Sequence, residues 1–567
     1  MQPAQDIPHL RKTVNSHQLI VKGKPFLCLG GELHNSSMSN AEFMRGVWPN
    51  MKAMNVNALL GGVHWEMIEP TEGNFDFSEL DQMILDARGH GLHLVLLWFG
   101  SFKNARSTYV PAWVKKDHKR FPRIHAEVDR KKETLELLSP FHSRSWEADA
   151  KAFATLMRHI REFDGDHSTV IMVQVENETG LLGDSRDRSP LANKLFSEPI
   201  PEDLLNHLKS SAGHPRFQKR FPGFSNVSAG ATWEQAFGKG LGAEEAFMAH
   251  GFSNYIGQVA AAGKAEYPIP FYTNTWISFD EPSTLDLSAS LGPHRSLVAA
   301  GGVKPGMYPS GGPYPQVMDI WKFNAPALDF LSPDVYFHNY EWVCQQYRYQ
   351  NQPLFIPEQK RDEAGARRVF LAFGTYGAMG CSPFGIDTLE AATSPMTRVY
   401  GLLQSMSKYI LDAQANRPDD ITGFFFDEHK DEEDEPEKWV KVFGDFELTI
   451  VRSFVFGKPG PGCGIIIHQG DGKFLLLGWG YQVIFRSTNP KSTFAGILNC
   501  AEKIVDGDGN LTTGRVMNGD ETRHGEFYIM PNEDPDYGGF PIAVTIPAKT
   551  AIAEVVAYSL EEDEDEL

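Results

Sequence analysis

The sequence has little that would suit a nucleic acid, a membrane or a metal ion as a partner. Its 53 Lys and Arg residues face 73 Asp and Glu residues, and a net charge of −20 disfavours anionic polymers and lipid surfaces. No apolar run approaches the roughly 18 residues that a membrane-spanning helix needs. The five cysteines are scattered without a CxxC pair, which predicts buried free thiols. We therefore expect no nucleic acid, no membrane and no metal.

Two further features are missing. No glycine-rich phosphate loop (GxGxxG or GxxxxGK[ST]) opens a helix, which argues against a dinucleotide or nucleotide site, and we expect no cofactor. The first thirty residues lack a charged start followed by an uninterrupted apolar run, so no secretory leader is predicted. This favours a cytoplasmic location and leaves a secreted or periplasmic one open. The sequence gives no basis for predicting the oligomeric state.

Short runs rich in Val, Ile, Leu and Phe recur through the first 390 residues, with helical patterns between them. Runs without polar alternation are typical of strands that are covered on both faces. Eight such runs predict an α/β fold, a (β/α)₈ TIM barrel, with a doubly wound open sheet as the alternative. The predicted strands are 26–31, 56–63, 93–99, 170–175, 269–274, 330–336, 353–358 and 377–385.

The chain of 567 residues is too long for one hydrophobic core. Residues 1–420 are predicted to form the barrel, with an insertion at 179–268 over the active-site face. That insertion would shape the substrate pocket, or it is a structural elaboration without substrate contact. Residues 421–567 show alternating runs separated by Gly, Asp and Asn turns, which predict an all-β, antiparallel sandwich-like accessory domain.

Two predicted strands end in glutamate: the fourth in Glu176-Asn177-Glu178 and the seventh in Pro357-Glu358. TIM-barrel enzymes keep their catalytic groups at the C-terminal ends of strands, and strands four and seven lie on opposite sides of the mouth. Two carboxyl groups that flank one bond are what glycoside hydrolysis requires, and a separation of roughly 5–5.5 Å leads to retention of configuration. We predict a retaining glycoside hydrolase with Glu178 as acid/base and Glu358 as nucleophile.

Other side chains near the strand ends are predicted to contact the sugar. Asn177 is placed to bind the sugar 2-hydroxyl, and Tyr336 is placed to orient Glu358. Trp276 is the favoured platform for a pyranose face, although packing in the core is the alternative for any tryptophan. The full predicted substrate-binding set is Asn177, Tyr336, Glu32, His34, Lys103, Asn104, Trp65 and Trp276.

Two motifs resemble a known family. Val173–Gly180 (VQVENETG) resembles the QxENExG acid/base motif of glycoside hydrolase family 35, the β-galactosidases of clan A. Trp65–Gly73 with Phe75-Asp76-Phe77 resembles that family's Trp-Asn-x-His-Glu-Pro-x-x-Gly-x-Phe-x-Phe stretch. The resemblance covers residues 20–420, with Pro357-Glu358 matching the nucleophile. It implies a divergent exo-β-galactosidase that releases terminal non-reducing β-D-galactose.

Two departures from the family concern the sugar pocket. Typical members carry Gly-x-x-His-Tyr-x-Arg after the first strand, where this chain has Gly31-Glu32-Leu33-His34-Asn35. Trp98–Asn104 replaces their Cys-Ala-Glu-Trp signature. A β-xylosidase, a β-glucosidase or an α-L-arabinosidase with the same mechanism is therefore an alternative. A non-catalytic carbohydrate-binding protein is another, disfavoured by the presence of both glutamates, and a metal-dependent hydrolase would need His and Asp clusters that the sequence lacks.

Overall fold

A computed structural model describes residues 7–128, 131–210, 213–278, 302–428, 437–453, 460–517, 522, 525–532 and 549–561. Eight parallel strands close into a barrel in which each strand pairs with the next and the last pairs with the first. The predicted TIM barrel and its eight strands are confirmed. The strands are β1 Cys28–Glu32, β2 Ala58–His64, β3 His93–Lys103, β4 Val170–Asn177, β5 Phe271–Trp276, β6 Phe330–Val335, β7 Phe355–Gln359 and β8 Gly380–Pro383.

Nearly every side chain of the eight barrel strands is buried, as expected of strands that are covered on both faces. Glycine allows the barrel to close between β8 and β1, because a Cβ on Gly30 would lie 2.2 Å from Oγ of Ser382. Asn57 supports β1 from the start of β2. Its side chain accepts from the backbone N–H of Leu29 and donates to the carbonyl of Leu27, both at 2.8 Å.

Two long helices are Ser143–Asp164 before β4 and Leu241–Glu266 before β5. They approach closely, because a Cβ on Gly263 would lie 2.2 Å from the ring of Phe153. No helix among the described residues is long and apolar enough to cross a membrane. The other α-helices are Ala41–Met44, Trp48–Ala53, Trp65–Ile68, Ser78–Gly89, Ala112–Lys116, Pro190–Ser197, Glu202–Ser210, Pro215–Arg220, Trp233–Phe237, Met318–Asn324, Tyr340–Tyr347, Glu363–Gly374 and Pro395–Asn416.

Short strands lie outside the barrel before β4. Three of them precede β1, and two more form an antiparallel hairpin between β3 and the helix Ser143–Asp164. Their bounds are His9–Lys12, His17–Val21, Lys24–Pro25, Arg123–Val128 and Lys131–Leu138.

The C-terminal part contains two antiparallel sheets, one of six strands and one of four. Their inner faces share a buried core that includes Phe424, Leu448, Ile466 and Tyr481. The β-rich character predicted from the alternating runs is therefore confirmed. The strands are Ile421–Phe426, Lys438–Phe443, Phe446–Arg452, Gly462–His468, Lys473–Trp479, Tyr481–Ser487, Ser492–Val505, Leu511–Met517, Phe527–Met530 and Ile552–Glu561.

The chain divides into two compact units. One unit contains all eight barrel strands. The other contains both antiparallel sheets, together with the helices Glu363–Gly374 and Pro395–Asn416. The domain limits at residue 420 and the role of the 179–268 insertion stay predictions.

Candidate active site

Three carboxyl groups meet at the C-terminal mouth of the barrel. Glu178 follows β4, Asp334 lies in β6 and Glu358 lies in β7. Carboxylate oxygens from the three side chains lie within 4.8 Å of one another. All three residues are buried, and Glu178 is the most exposed at 8%. Water therefore screens their charges poorly, and each group affects the protonation of the others.

The carboxylate of Glu358 is held from two sides. Tyr336 donates its hydroxyl to Oε2 at 2.8 Å, and Nδ2 of Asn274 lies 3.4 Å from Oε1. Burial raises the pKa of Glu358, while Lys103 and the hydrogen bond from Tyr336 oppose that rise. Both opposing groups favour the ionised form, which is the form that a nucleophile requires.

Glu178 has the opposite tendency. Burial, followed by the negative charge of Glu358, raises the pKa of Glu178 to about 8. Its backbone is in the left-handed region, with φ of 43°, and its N–H donates to Oδ1 of Asn274 at 2.8 Å. Such backbone strain persists only where the surroundings determine it. Glu178 is thus held in place and carries a proton at neutral pH.

A second carboxyl pair anchors the end of β4. The carboxylate of Glu176, whose φ is 60°, accepts the backbone N–H groups of Ser101 and Phe102 at 2.9 and 2.8 Å. Its neighbour Asp149 accepts from Oγ of Ser101 at 2.6 Å and from Nε1 of Trp98 at 2.9 Å. Burial raises the pKa of both carboxyls, and the charge of Asp149 raises that of Glu176 further. These hydrogen bonds therefore attach the end of β4, which leads to Glu178, to β3.

A chain of amides lies beside the carboxyls. Asn177 is fully buried, and its Oδ1 accepts from Gln174 at 3.0 Å and from Asn274 at 3.3 Å. Its Nδ2 donates to Oδ1 of Asn104 at 2.9 Å. These contacts determine which side of the Asn177 amide carries the N–H groups. The second N–H of Nδ2 can donate to a ligand hydroxyl group while all of these hydrogen bonds are kept.

Glu32 and Lys103 belong to the same cluster of charges. Glu32 is fully buried, and neither of its carboxylate oxygens has a hydrogen-bond partner among the described residues. Burial and the charge of Glu358 raise its pKa well above the usual range, and Lys103 opposes this. The ammonium of Lys103 lies 4.4 Å from the ring centre of Phe99. An unpaired buried carboxylate is costly, so Glu32 is ready to accept hydroxyl groups from a ligand.

Three other predicted residues lie in different surroundings. His34 is at the rim, with its side chain 43% exposed and Nδ1 2.7 Å from Oδ1 of Asp387. Trp276 is partly exposed at the end of β5, in register with Asp334. Trp65 is fully buried and donates its indole N–H to Glu69 at 2.7 Å. The Trp65 ring has no exposed surface on which a sugar could stack, and its place in the substrate-binding set stays a prediction.

Sequence reasoning missed two residues at the centre of the site. Asp334 and Asn274 both lie inside predicted strands, and neither was singled out. A signal was present for Asp334, because it stands two residues before Tyr336 in an apolar run, and side chains two apart in a strand point to the same face. Asn274 is likewise a polar residue within a strand, at 271–276.

Glu178, Asp334 and Glu358 are also the described residues that come close enough to hold a cation. Carboxylate oxygens suit hard cations such as Ca²⁺ or Mg²⁺. A cation here would displace the proton of Glu178 and occupy Glu358, so it would compete with acid/base chemistry. The expectation of no metal stays a prediction.

Comparison with known proteins relates the barrel to one enzyme group. Residues 39–210 match the family model Glyco_hydro_42, described as beta-galactosidase. Residues 396–529 match a domain of unknown function, DUF5597, which covers most of the C-terminal β-rich part. The first match covers β2, β3 and β4 with the segment around Glu178.

Curated relatives match a similar length of chain. A β-galactosidase from Xanthomonas manihotis is 27% identical over 172 residues, which are 30% of this chain and 26% of the relative. The human β-galactosidase-1-like protein 3 is 29% identical over 192 residues, 33% of this chain and 27% of the relative. The chain therefore matches only about a quarter of the length of either relative.

Among solved structures, the catalytic domain of a β-amylase from Paenibacillus polymyxa is similar with 13% identity and a TM-score of 0.44. The similarity covers 68% of this chain and 98% of that one. The predicted resemblance to clan A is confirmed at the level of the β-galactosidase group, although the matching family model is Glyco_hydro_42. Over the matched segments, the chain is similar in sequence to proteins named β-galactosidase.

Proposed function

We propose that this protein is a retaining exo-glycosidase that releases terminal non-reducing β-D-galactose by double displacement. One observation carries the mechanism: carboxylate oxygens of Glu178 and Glu358 lie within 4.8 Å of each other. Retaining enzymes hold their two carboxyl groups about 5–5.5 Å apart, whereas inverting enzymes leave about 6.5–9.5 Å for a water molecule. A separation within 4.8 Å is closer to the retaining arrangement, which supports double displacement.

In the first step the ionised Glu358 attacks the anomeric carbon, and the protonated Glu178 gives its proton to the leaving oxygen. The bond between the anomeric carbon and that oxygen breaks, and a glycosyl ester forms on Glu358. Esterification removes the charge of Glu358, which is the main charge that raises the pKa of Glu178. Glu178 can then ionise and act as the base on water. Water attacks the anomeric carbon, and Glu358 leaves as a carboxylate.

The remaining predicted residues would recognise the sugar. The free N–H of Asn177 suits the 2-hydroxyl, and Asn104 is joined to it. The unpaired oxygens of Glu32 suit two further hydroxyl groups, with Lys103 as a donor nearby. Trp276 is the candidate platform for the sugar face, and His34 lies at the rim. We propose Tyr336 as the group that orients Glu358.

Charge restricts the class of sugar. Among the described residues, Glu32, Glu178, Asp334 and Glu358 form a cluster of acidic groups, and the ammonium of Lys103 acts against the negative charge at Glu32, Glu178 and Glu358. A uronic acid would add another negative charge to this cluster, which like-charge repulsion disfavours. We therefore propose a neutral sugar. Galactose is supported by the names of the matched relatives, while xylose, glucose and arabinose remain the alternatives for the same mechanism.

A catalytically silent sugar-binding protein is the second candidate. Binding alone requires no proton donor opposite a nucleophile, whereas the raised pKa of Glu178 beside an oriented Glu358 suits general acid catalysis. We also propose that the insertion at 179–268 shapes the substrate pocket and that residues 421–567 form an accessory domain.

The test is hydrolysis of a panel of aryl β-D-glycosides (galactoside, xyloside, glucoside and glucuronide) with aryl α-L-arabinoside added. The wild type is compared with Glu358→Ala and with a control, Glu162→Ala, at an exposed site on the helix Ser143–Asp164. We expect the galactoside to be cleaved fastest, the glucuronide not at all, and the activity to be lost only in Glu358→Ala.

Two further measurements decide between the candidate functions. A 2-fluoro glycoside of the preferred sugar should label Glu358 in the peptide mass map, and the first product seen by NMR should keep the β configuration. Cleavage of a different sugar would replace galactose and keep the mechanism. Inversion, or labelling of another residue, would refute the assignment of the two glutamates. No cleavage of any glycoside, with sugar binding intact, would support the binding protein.

A further inference from the structure

A third carboxylic acid, Asp334, lies between the two proposed catalytic glutamates. It belongs to β6, and in the barrel ladder its neighbours are Trp276 on β5 and Glu358 on β7. Asp334 is 2% exposed. A carboxyl group buried at this depth needs a reason to be there, because a carboxylate without partners is expensive to bury.

The contacts of Asp334 suit a neutral acid. Its Oδ2 accepts one hydrogen bond, from Nδ2 of Asn274 at 2.8 Å. Its Oδ1 is buried and receives no hydrogen bond from any described donor. Another carboxyl lies beside it, because carboxylate oxygens of Asp334 and Glu178 are within 4.8 Å of each other. Two carboxyls can share a hydrogen bond only when one of them carries a proton.

The surrounding charges decide where that proton lies. Glu32 on β1, Lys103 on β3, Glu178 after β4 and Glu358 on β7 all act on Asp334 or on its partners. The nearby hydroxyls of Tyr272, Tyr336 and Tyr347 are neutral, because burial raises their pKa. Of the described groups that act on these carboxyls, Lys103 is the ammonium and the others named are acidic, and Glu358 receives the hydrogen bond from Tyr336 that favours its ionisation. Burial and the charges of Glu358 and Glu178 raise the pKa of Asp334 well above its usual range.

We propose that Asp334 is a positioning residue that, as a neutral carboxylic acid, donates a hydrogen bond to Glu178. The proposal rests on the assignment of Glu178 as the acid/base. The bond holds the Glu178 carboxyl in orientation before it protonates the leaving oxygen. It strengthens when Glu178 becomes a carboxylate, because a hydrogen bond to an ionised acceptor is stronger than one to a neutral group. Asp334 thereby supports Glu178 as an acid in the first step and as a base in the second.

Three substitutions separate this role from the alternatives. In Asp334→Asn the amide can accept from Asn274 and still donate to Glu178. In Asp334→Ala, and in Asp334→Val, which leaves a smaller cavity, the donor is lost. All variants are made in the full chain, and thermal unfolding shows which of them fold.

The readout is the alkaline limb of kcat/KM against pH, which reports the protonation of Glu178 in the free enzyme. We expect the Asn variant to keep the limb of the wild type. We expect the Ala or Val variant to move it upwards by about one pH unit, because the carboxylate form loses its donor. Release of the glycosyl intermediate should slow in the same variant, so that a burst of aryl alcohol appears with an activated substrate.

Other outcomes overturn the inference. If Asp334 is ionised, its removal lowers the pKa of Glu178, and the limb moves downwards in the Asn variant as well as in the Ala variant. If Asp334 only supports the fold, the limb stays in place in every variant that folds. Failure of the proposed function is distinguished from both, because the wild type would then show no glycosidase activity that depends on Glu358.

Discussion

Replacing Glu178 by glutamine removes the proposed proton donor while nearly preserving its shape. General acid catalysis contributes about 10²–10⁴-fold to a rate, which corresponds to about 3–5 kcal/mol of the activation barrier. We expect this full loss in kcat/KM for alkyl glycosides and disaccharides, whose leaving oxygens need a proton. For dinitrophenyl glycosides the first step should be almost unchanged, because their leaving group departs as an anion.

The pH dependence of kcat/KM tests the same role of Glu178 independently. With the pKa of Glu178 raised to about 8, the acid form is present through neutral pH. The kcat/KM of the wild type should therefore fall as the pH rises through about 8, tenfold for each further unit. Glu178→Gln has no proton to lose, so the limb that the wild type shows with alkyl glycosides should be absent from its profile.

The assay is steady-state kinetics of both proteins across the pH range, with the two leaving groups compared at each pH. Added azide should speed turnover of Glu178→Gln on the activated substrate, because azide needs no base to attack the glycosyl ester. Equal losses on good and poor leaving groups would refute the role of proton donor. So would an alkaline limb that survives the substitution.

Three further predictions concern stability and local packing. Folding raises the pKa of Glu32. Below the unfolded pKa of about 4.5 the group is protonated in both states, so its burial carries no cost for neutralising a charge, and the free energy of unfolding falls as the pH rises above that value. Glu32→Gln should therefore raise the melting temperature at pH 7 but not at pH 4, while kcat/KM falls. Gly100→Ala would place a Cβ 2.6 Å from Oε1 of Glu176 and should cost about 1–3 kcal/mol in urea unfolding. Asp427 binds Arg368 with both carboxylate oxygens, at 2.6 and 2.5 Å. Asp427→Asn should cost about 1–3 kcal/mol at pH 7, and less as the pH falls through the lowered pKa of Asp427.

The barrel could be predicted from the sequence because its strands are buried on both faces. Such strands appear as uninterrupted apolar runs, and eight of them separated by helical patterns leave few alternatives. Glu178 and Glu358 were visible for a related reason, since each ends an apolar run where barrels keep their reactive groups. The pattern therefore predicted both the scaffold and the positions of these two side chains.

The surroundings of those side chains were less accessible. Whether a tryptophan at a strand end faces the mouth or the core depends on neighbours that are distant in sequence, and Trp65 is covered by such neighbours. The amide chain from Gln174 through Asn177 to Asn104 joins two strands, so no local pattern reports it. Asp334 lies in an apolar run, and the run alone does not show which face of the strand each side chain occupies.

The excess of carboxyl groups over cations at the barrel mouth has a consequence for inhibitors. A sugar mimic whose ring oxygen is replaced by a protonated amine would bring the positive charge that Lys103 alone does not supply. Such a molecule would bind as an ion pair in a place where water is largely excluded, and its affinity would rise with pH until the amine itself lost its proton. With the cationic inhibitor bound, fewer of these carboxyl groups would take up a proton when the protein folds. Protonation of the carboxyl groups and binding of the inhibitor would therefore compete as ways of stabilising the fold.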